Sequence, residues 1–144
     1  MTTGTHENPD YSLLNESHVE AYRQSDGEVG YLWNGAPTLL LTTTGRRSGE
    51  QRVTPLIFGR DGDDYLIVAS VGGMPKHPAW YLNLQADPSA HIQVKGDHLD
   101  VVARTASADE KPRLWQIVNE VWPNYDVYQA RTDRVIPLVI LSPR

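Results

Sequence analysis

Arg46, Arg47 and Arg52 fall within seven residues, with Ser48, Gly49 and Thr54 among them, in a chain that otherwise carries an excess of acid. A guanidinium group is a planar fork of donors that matches phosphate or carboxylate oxygens in pairs. Glycine amides and hydroxyl groups complete such a cradle. A charge-assisted hydrogen bond contributes on the order of 1.5–3 kcal/mol, so two or three would anchor an anionic ligand. The competing reading is a solvated hairpin tip, where arginines are common. Composition leaves the two about level.

A second constellation is Ser70-Val-Gly-Gly-Met-Pro-Lys-His-Pro-Ala-Trp-Tyr81. Gly72 and Gly73 allow close backbone approach by a ligand and Lys76 adds a charge, while Trp80 and Tyr81 bring flat surfaces suited to a ring-binding slot. The same residues also read as a strand–turn–helix corner with aromatics in the core, and that reading is slightly the stronger. A third stretch, Trp122-Pro-Asn-Tyr-Asp-Val-Tyr128, puts Tyr125 and Tyr128 on one face of a helical turn. They form either a mobile lid presenting phenols to a substrate or a packing surface, and spacing does not decide between these.

Several other chemistries lack their residues. With no cysteine there is no disulfide frame, zinc–thiolate site, thiol nucleophile or cluster ligand. Gly45-Arg-Arg-Ser-Gly49 lacks the ending of a nucleotide-binding loop and is not a G-x-S-x-G elbow, so Ser48 is a poor nucleophile. Asp61-Gly-Asp-Asp64 fails as a calcium loop at Leu66 and Gly72. The five histidines (His6, His18, His77, His91, His98) show no close metal-ligand spacing, and no metal site is expected. Thirteen basic against eighteen acidic residues leave a charge of −5, which discourages nucleic-acid binding.

Positioning these groups takes a folded domain, and 144 residues with 40% hydrophobic content suffice for one core. Residues 1–14 read as a flexible arm and 15–144 as a single domain. The apolar stretches at 38–41, 65–71 and 135–141 fall far short of a membrane span, and the N-terminus has no secretory-signal pattern. A helix is expected over 16–24, capped by Asn15 and stopped by Asp26-Gly27. Strands are expected at 38–44, 52–59 and 65–71, with Pro55 marking an edge or bulge. A short helix follows over 78–85, then a hairpin at 90–95 and 98–104 turning on Gly96-Asp97. Ser107-Ala-Asp-Glu110 is a capping box for a helix with Leu114, Trp115, Val118, Val121 and Trp122 on one face. A last strand is expected at 135–141. About six strands interrupted by helices do not make a βαβ series, so the expected class is α+β, mainly β: an antiparallel, partly closed barrel with peripheral helices.

The ordered set of motifs closely resembles the deazaflavin-dependent nitroreductase family from about residue 15 to the C-terminus. The matching segments are Gly35-Ala-Pro-Thr-Leu-Leu-Leu-Thr-Thr-Thr-Gly-Arg-Arg-Ser-Gly49, Arg52-Val-Thr-Pro55, Ser70-Val-Gly-Gly73, Pro78-Ala-Trp-Tyr-Leu-Asn83 and Thr132-Asp-Arg-Val-Ile-Pro137. That resemblance implies a split β-barrel of the FMN-binding, flavin-reductase type. It also implies coenzyme F420, an 8-hydroxy-5-deazaflavin with a phosphate and a polyglutamate tail. Arg46, Arg47 and Arg52 match the positions that grip the tail. Ser48, Val53, Thr54, Ala69, Ser70, Val71, Gly72, Gly73, Pro78, Ala79, Trp80 and Asn83 match positions around the cofactor. Ser70, Tyr125 and Tyr128 match positions facing the substrate. The chain departs from the family at Val71, where members often carry lysine. It departs again at Ile57 and Trp122, where members that activate nitroimidazoles carry tyrosines.

The implied activity is hydride transfer from C5 of reduced F420 to an electron-poor acceptor: a quinone, an activated enone or a nitroaromatic. Ser70 or a tyrosine would hydrogen-bond the acceptor as negative charge develops, a phenol near pKa ~10 being a donor at neutral pH. Two alternatives stand beside this: FMN in the same barrel, and a non-catalytic deazaflavin-binding or storage protein. The expected location is cytoplasmic, with at most transient contact with the inner face of the membrane. Oligomeric state is open.

Overall fold

β-Branched and apolar patterning organises the computed structural model, which describes residues 16–33, 35–70 and 77–144, into an antiparallel sheet flanked by four helices. The expected arm over 1–14, the Asn15 cap and Val71, Gly72 and Gly73 lie outside the described residues. In chain order the elements are α1 (Glu16–Ser25), β1 (Leu32–Trp33), β2 (Ala36–Thr44), β3 (Gln51–Ile57), β4 (Gly59–Asp61) and β5 (Asp64–Val68). Then come α2 (Ala79–Ala86), β6 (Ser89–Val94), β7 (Asp97–Thr105), α3 (Lys111–Val121), α4 (Tyr125–Ala130) and β8 (Leu138–Pro143).

The strands run β1-β2-β6-β7-β8-β5-β4, with β3 also paired to β2. Phe58 is the sole residue between β3 and β4. One extended run therefore leaves β2 and joins β5, which curls the sheet into a split barrel with its helices outside. The expected single strand over 52–59 is broken at this transfer. Pro55 lies opposite Leu40 in β3, which pairs with β2 alone, so its missing donor costs the ladder nothing on the other side.

The last strand begins at Leu138, three residues later than the periodicity predicts. Ile136 N–H turns aside to Gln129 Oε1 (2.9 Å), Pro137 has no N–H to give a ladder, and Val135 is exposed. Two-residue β1 is too short to carry a sequence signal. Pro78 caps α2 from outside and does not occupy its first turn. The capping box forms as expected: Ser107 N–H donates to Glu110 Oε1 (2.8 Å) and Glu110 N–H to Ser107 Oγ (3.3 Å).

Each face of the sheet buries its own core. Leu39, Leu41, Ile67, Ile92, Val101 and Leu141 pack with Trp80, Tyr81 and Leu84 of α2. Leu66, Val68, Leu138 and Ile140 pack with Leu114 and Val118 of α3 and with Trp122, Tyr125 and Tyr128. Strands β5 and β8 are thus buried on both faces, which accounts for their near-continuous apolar runs.

Candidate functional site: an arginine-lined cleft

The hairpin between β2 and β3 is closed by its own backbone. Gly45 N–H donates to the Glu50 carbonyl (2.8 Å) and Gly49 N–H to the Gly45 carbonyl (2.9 Å). Gly49 holds φ +73°, a conformation glycine adopts without strain. A Cβ at Gly45 would stand 2.8 Å from Ser48 Oγ, the oxygen that accepts Glu50 N–H at 3.1 Å. The turn is therefore compact, and its arginine side chains project from a fixed frame.

Asn83 ties that frame to α2. Its Oδ1 accepts both the backbone N–H (3.2 Å) and Nη1 (3.0 Å) of Arg46, and its Nδ2 donates to Thr43 Oγ1 (3.3 Å). The Asn83 side chain is buried and held through both ends of its amide in this way. Arg52 makes a loose pair with Glu50 at 3.5 Å, with both side chains well exposed, so water screens it and little holds it closed. Arg47 makes no hydrogen bond or ion pair among the described residues.

These groups line a cleft of about 770 Å³. One wall is the hairpin and β3, contributing Arg46, Arg47, Ser48, Arg52, Val53 and Thr54. The facing wall is α2, with Ala79, Trp80 and Asn83. Helix α1 adds Val19, Glu20 and Arg23, and Gly45 and Gln51 complete the lining. Among the described residues of the lining, Arg23, Arg46, Arg47 and Arg52 are thus opposed by Glu20 alone, in a chain whose net charge is −5. The α1 contribution has no local sequence signal. It depends on α1 packing against β3, which only the fold brings about.

Nine of the expected site residues meet at this cleft: Arg46, Arg47, Ser48, Arg52, Val53, Thr54, Ala79, Trp80 and Asn83. Ala69, Ser70 and Pro78 are not among its lining side chains. The carbonyls of Ala69 and Ser70 accept hydrogen bonds from Arg134 instead. Tyr125 and Tyr128 do not present their phenols outward. They pack edge-to-face, 6.2 Å between centroids, within the second core. Trp122 Nε1 donates to the Tyr128 hydroxyl (3.1 Å), and complete burial pushes the Tyr125 phenol far above its ordinary pKa. Of the two readings the spacing left open, packing is the one adopted. Trp122 and Ile57 belong to the same core.

Among the described residues no group of three or more His, Asp or Glu is placed to hold a metal. The cleft does suit an anionic tricyclic cofactor. Guanidinium groups match phosphate and carboxylate, the Trp80 ring offers an apolar plane, and the volume lies within the range of drug-sized ligand sites.

A split barrel with such a cleft is shared with the class of flavin- and deazaflavin-dependent reductases. Within it, residues 14–143 match the family model for F420H(2)-dependent quinone reductase, and the chain belongs to that family. It is 47% identical over 131 residues, 88% of each chain, to an F420H(2)-dependent quinone reductase of Mycobacterium tuberculosis H37Rv. Among solved structures it is similar to an F420-H2 dependent reductase (41% identity, TM-score 0.69), covering 74% of this chain and 94% of that one. Another, described as a domain-swapped dimer, is 37% identical with a TM-score of 0.71, covering 88% and 95%. The chain is accordingly an oxidoreductase with coenzyme F420 as its cofactor. No helix among the described residues is long and apolar enough to cross a membrane.

Proposed function

We propose that the arginine-lined cleft takes the anionic part of reduced coenzyme F420 and that the hydride acceptor is a quinone. The charge contrast supports the first half: among the described residues, four guanidinium groups and one carboxylate gather at the cleft of a net-acidic chain. The quinone rests on the activity for which the relatives are named. When bound, the reduced cofactor supplies a hydride from its C5 carbon. Arg23, Arg47 and Arg52 hold tail carboxylates or phosphate, and Arg46, fixed by Asn83, sets the register. Trp80, Ala79, Val53 and Thr54 form the walls that orient a ring and exclude water. Ala69, Pro78, Val71, Gly72 and Gly73 complete the ring side, as the family resemblance implies. Ser70, half-buried, is the donor toward the acceptor oxygen. Tyr125 and Tyr128 hold α4 in place. A lipid-dissolved quinone is met by transient contact with the inner face of the membrane, and a soluble enone or nitro compound needs no such contact.

The test is a titration with F420 followed by tryptophan quenching, then a steady-state screen of acceptors with the reduced cofactor. Saturable binding and turnover with quinones are expected. Arg47→Ala should weaken binding roughly tenfold, about the worth of one charge-assisted hydrogen bond, and reduce its salt dependence. No saturable binding at low salt would sink the proposal. A flavin spectrum in the purified protein would replace the cofactor, and binding without turnover on any acceptor class would make this a storage protein.

A further inference from the structure

Arg134 lies between α4 and β8, outside the lining of the cleft, yet its side chain joins two segments far away in sequence. Its Nη1 donates to the Ala69 carbonyl (2.9 Å) and to His77 Nδ1 (2.9 Å), and its Nη2 donates to the Ser70 carbonyl (2.9 Å). Ala69 and Ser70 follow β5, and His77 comes two residues before α2. One guanidinium therefore ties together both ends of the connection between those elements. The socket that presents it is itself fixed. Arg134 N–H donates to Thr132 Oγ1 (3.1 Å), its carbonyl accepts Gln129 Nε2 (2.7 Å), and the Ile136 carbonyl accepts Lys111 Nζ (2.6 Å).

The chemistry of the contact fixes the state of His77. A guanidinium has donors only, so Nδ1 must bring a lone pair and the imidazole must be neutral with its proton on Nε2. The His77 ring leans on Tyr81 (5.0 Å between centroids), whose hydroxyl meets Thr105 Oγ1 at 3.0 Å. The residues immediately beyond His77 are those of the cleft wall: Ala79, Trp80 and, one turn later, Asn83 with its hold on Arg46.

We propose that Arg134 is a positioning residue for the reaction: with neutral His77 as acceptor, it locks the exit of β5 to the entry of α2 and so sets the Ala79–Trp80–Asn83 wall against the arginine hairpin. This rests on the reading of the cleft as the F420 site. Lysine is a poor substitute: it has no counterpart of Nη2 and its bond to the Ser70 carbonyl, and its shorter stem draws Nζ back from the place Nη1 holds between the Ala69 carbonyl and His77.

The experiment compares Arg134→Lys, His77→Ala and His77→Asn with the wild type. In asparagine, Oδ1 takes the place of Nδ1 and keeps the acceptor. Three quantities are read: amide hydrogen exchange over residues 79–83 in the cofactor-free protein, the F420 dissociation constant by tryptophan quenching, and KM for reduced F420 and for the quinone separately. Arg134→Lys and His77→Ala should speed exchange in that stretch selectively. They should also raise the dissociation constant and KM for F420 about tenfold. KM for quinone should stay unchanged in His77→Ala, where Arg134 keeps its hold on the Ser70 carbonyl, and His77→Asn should restore exchange, affinity and KM for F420. Unaltered exchange and affinity in both variants would overturn the proposal, as would exchange that rises uniformly through the fold or His77→Asn behaving like His77→Ala. Should Arg134→Lys fail to fold, the His77 pair decides. If the wild type fails to bind F420, the reading of the cleft fails, and the exchange data still decide the lock.

Discussion

Asn83 shows what a single side chain does here that its position in the sequence does not announce. The local run of three arginines was legible because like charges stood close together along the chain. The bonds that aim Arg46 span 37 residues, and those of Arg134 span 57 to 65, so they exist only once the sheet has formed. The resemblance placed Asn83 beside the cofactor. The structure adds that both ends of its amide are engaged, by Arg46 and by Thr43. Asn83→Ala would strand a buried hydroxyl and a backbone N–H and release Arg46. A loss of about 1–3 kcal/mol in chemical denaturation is therefore expected, with weaker F420 binding alongside. An unchanged denaturation midpoint would show that water replaces the amide and that it positions nothing.

Helix and strand extents were mostly readable, because their signals are local: the Asp26-Gly27 stop, the Gly96-Asp97 turn and the capping box. The facing of α4 was not, since tyrosines three residues apart look alike whether they point inward or outward. The end of α1 illustrates an element fixed by its neighbour. Gly27 has φ +86°, and a Cβ there would stand 2.6 Å from Lys95 Cα, in the turn whose Lys95 N–H donates to the Tyr22 hydroxyl at 2.7 Å. Gly27→Ala should cost about 1–2 kcal/mol from left-handed backbone alone, more from the clash, and should weaken F420 binding by shifting Arg23. Thermal denaturation and quenching would test both. Glu110 gives the element-scale pH dependence. Bonds from Arg104 and from Ser107 N–H hold its carboxyl below the ordinary glutamate range of about 4.3. Its contribution to stability is therefore present above that range and is lost as pH falls through the lowered folded value. Glu110→Gln should be less stable than the wild type at neutral pH, and the gap should close toward pH ~3. Parallel denaturation midpoints across that interval would refute this.

At the scale of the molecule, the apolar pattern announced a mainly antiparallel β domain, but not the way the sheet closes. Nothing local marks Phe58 as the residue where one strand changes partners, because pairing with β2 before it and β5 after it is a property of topology. The two-sided burial of β5 was visible as an unbroken apolar run, and the assignment of alternate residues to two different cores follows from the closure. Ile67 faces the core shared with α2, whose Trp80 lines the cleft, and its neighbour Leu66 faces the core under α3. Both side chains are essentially fully buried, so Ile67→Ala and Leu66→Ala should each lose about 2–5 kcal/mol of stability. Their effects on function should differ. A cavity at Ile67 loosens the packing behind Trp80 and should raise the F420 dissociation constant, whereas one at Leu66 opens on the opposite side of the sheet and should leave it near the wild-type value. Measuring urea midpoints and quenching on the same two variants separates stability from site geometry. Equal losses of affinity would mean that the two cores yield as one and that the sheet does not insulate the cleft from the helices behind it.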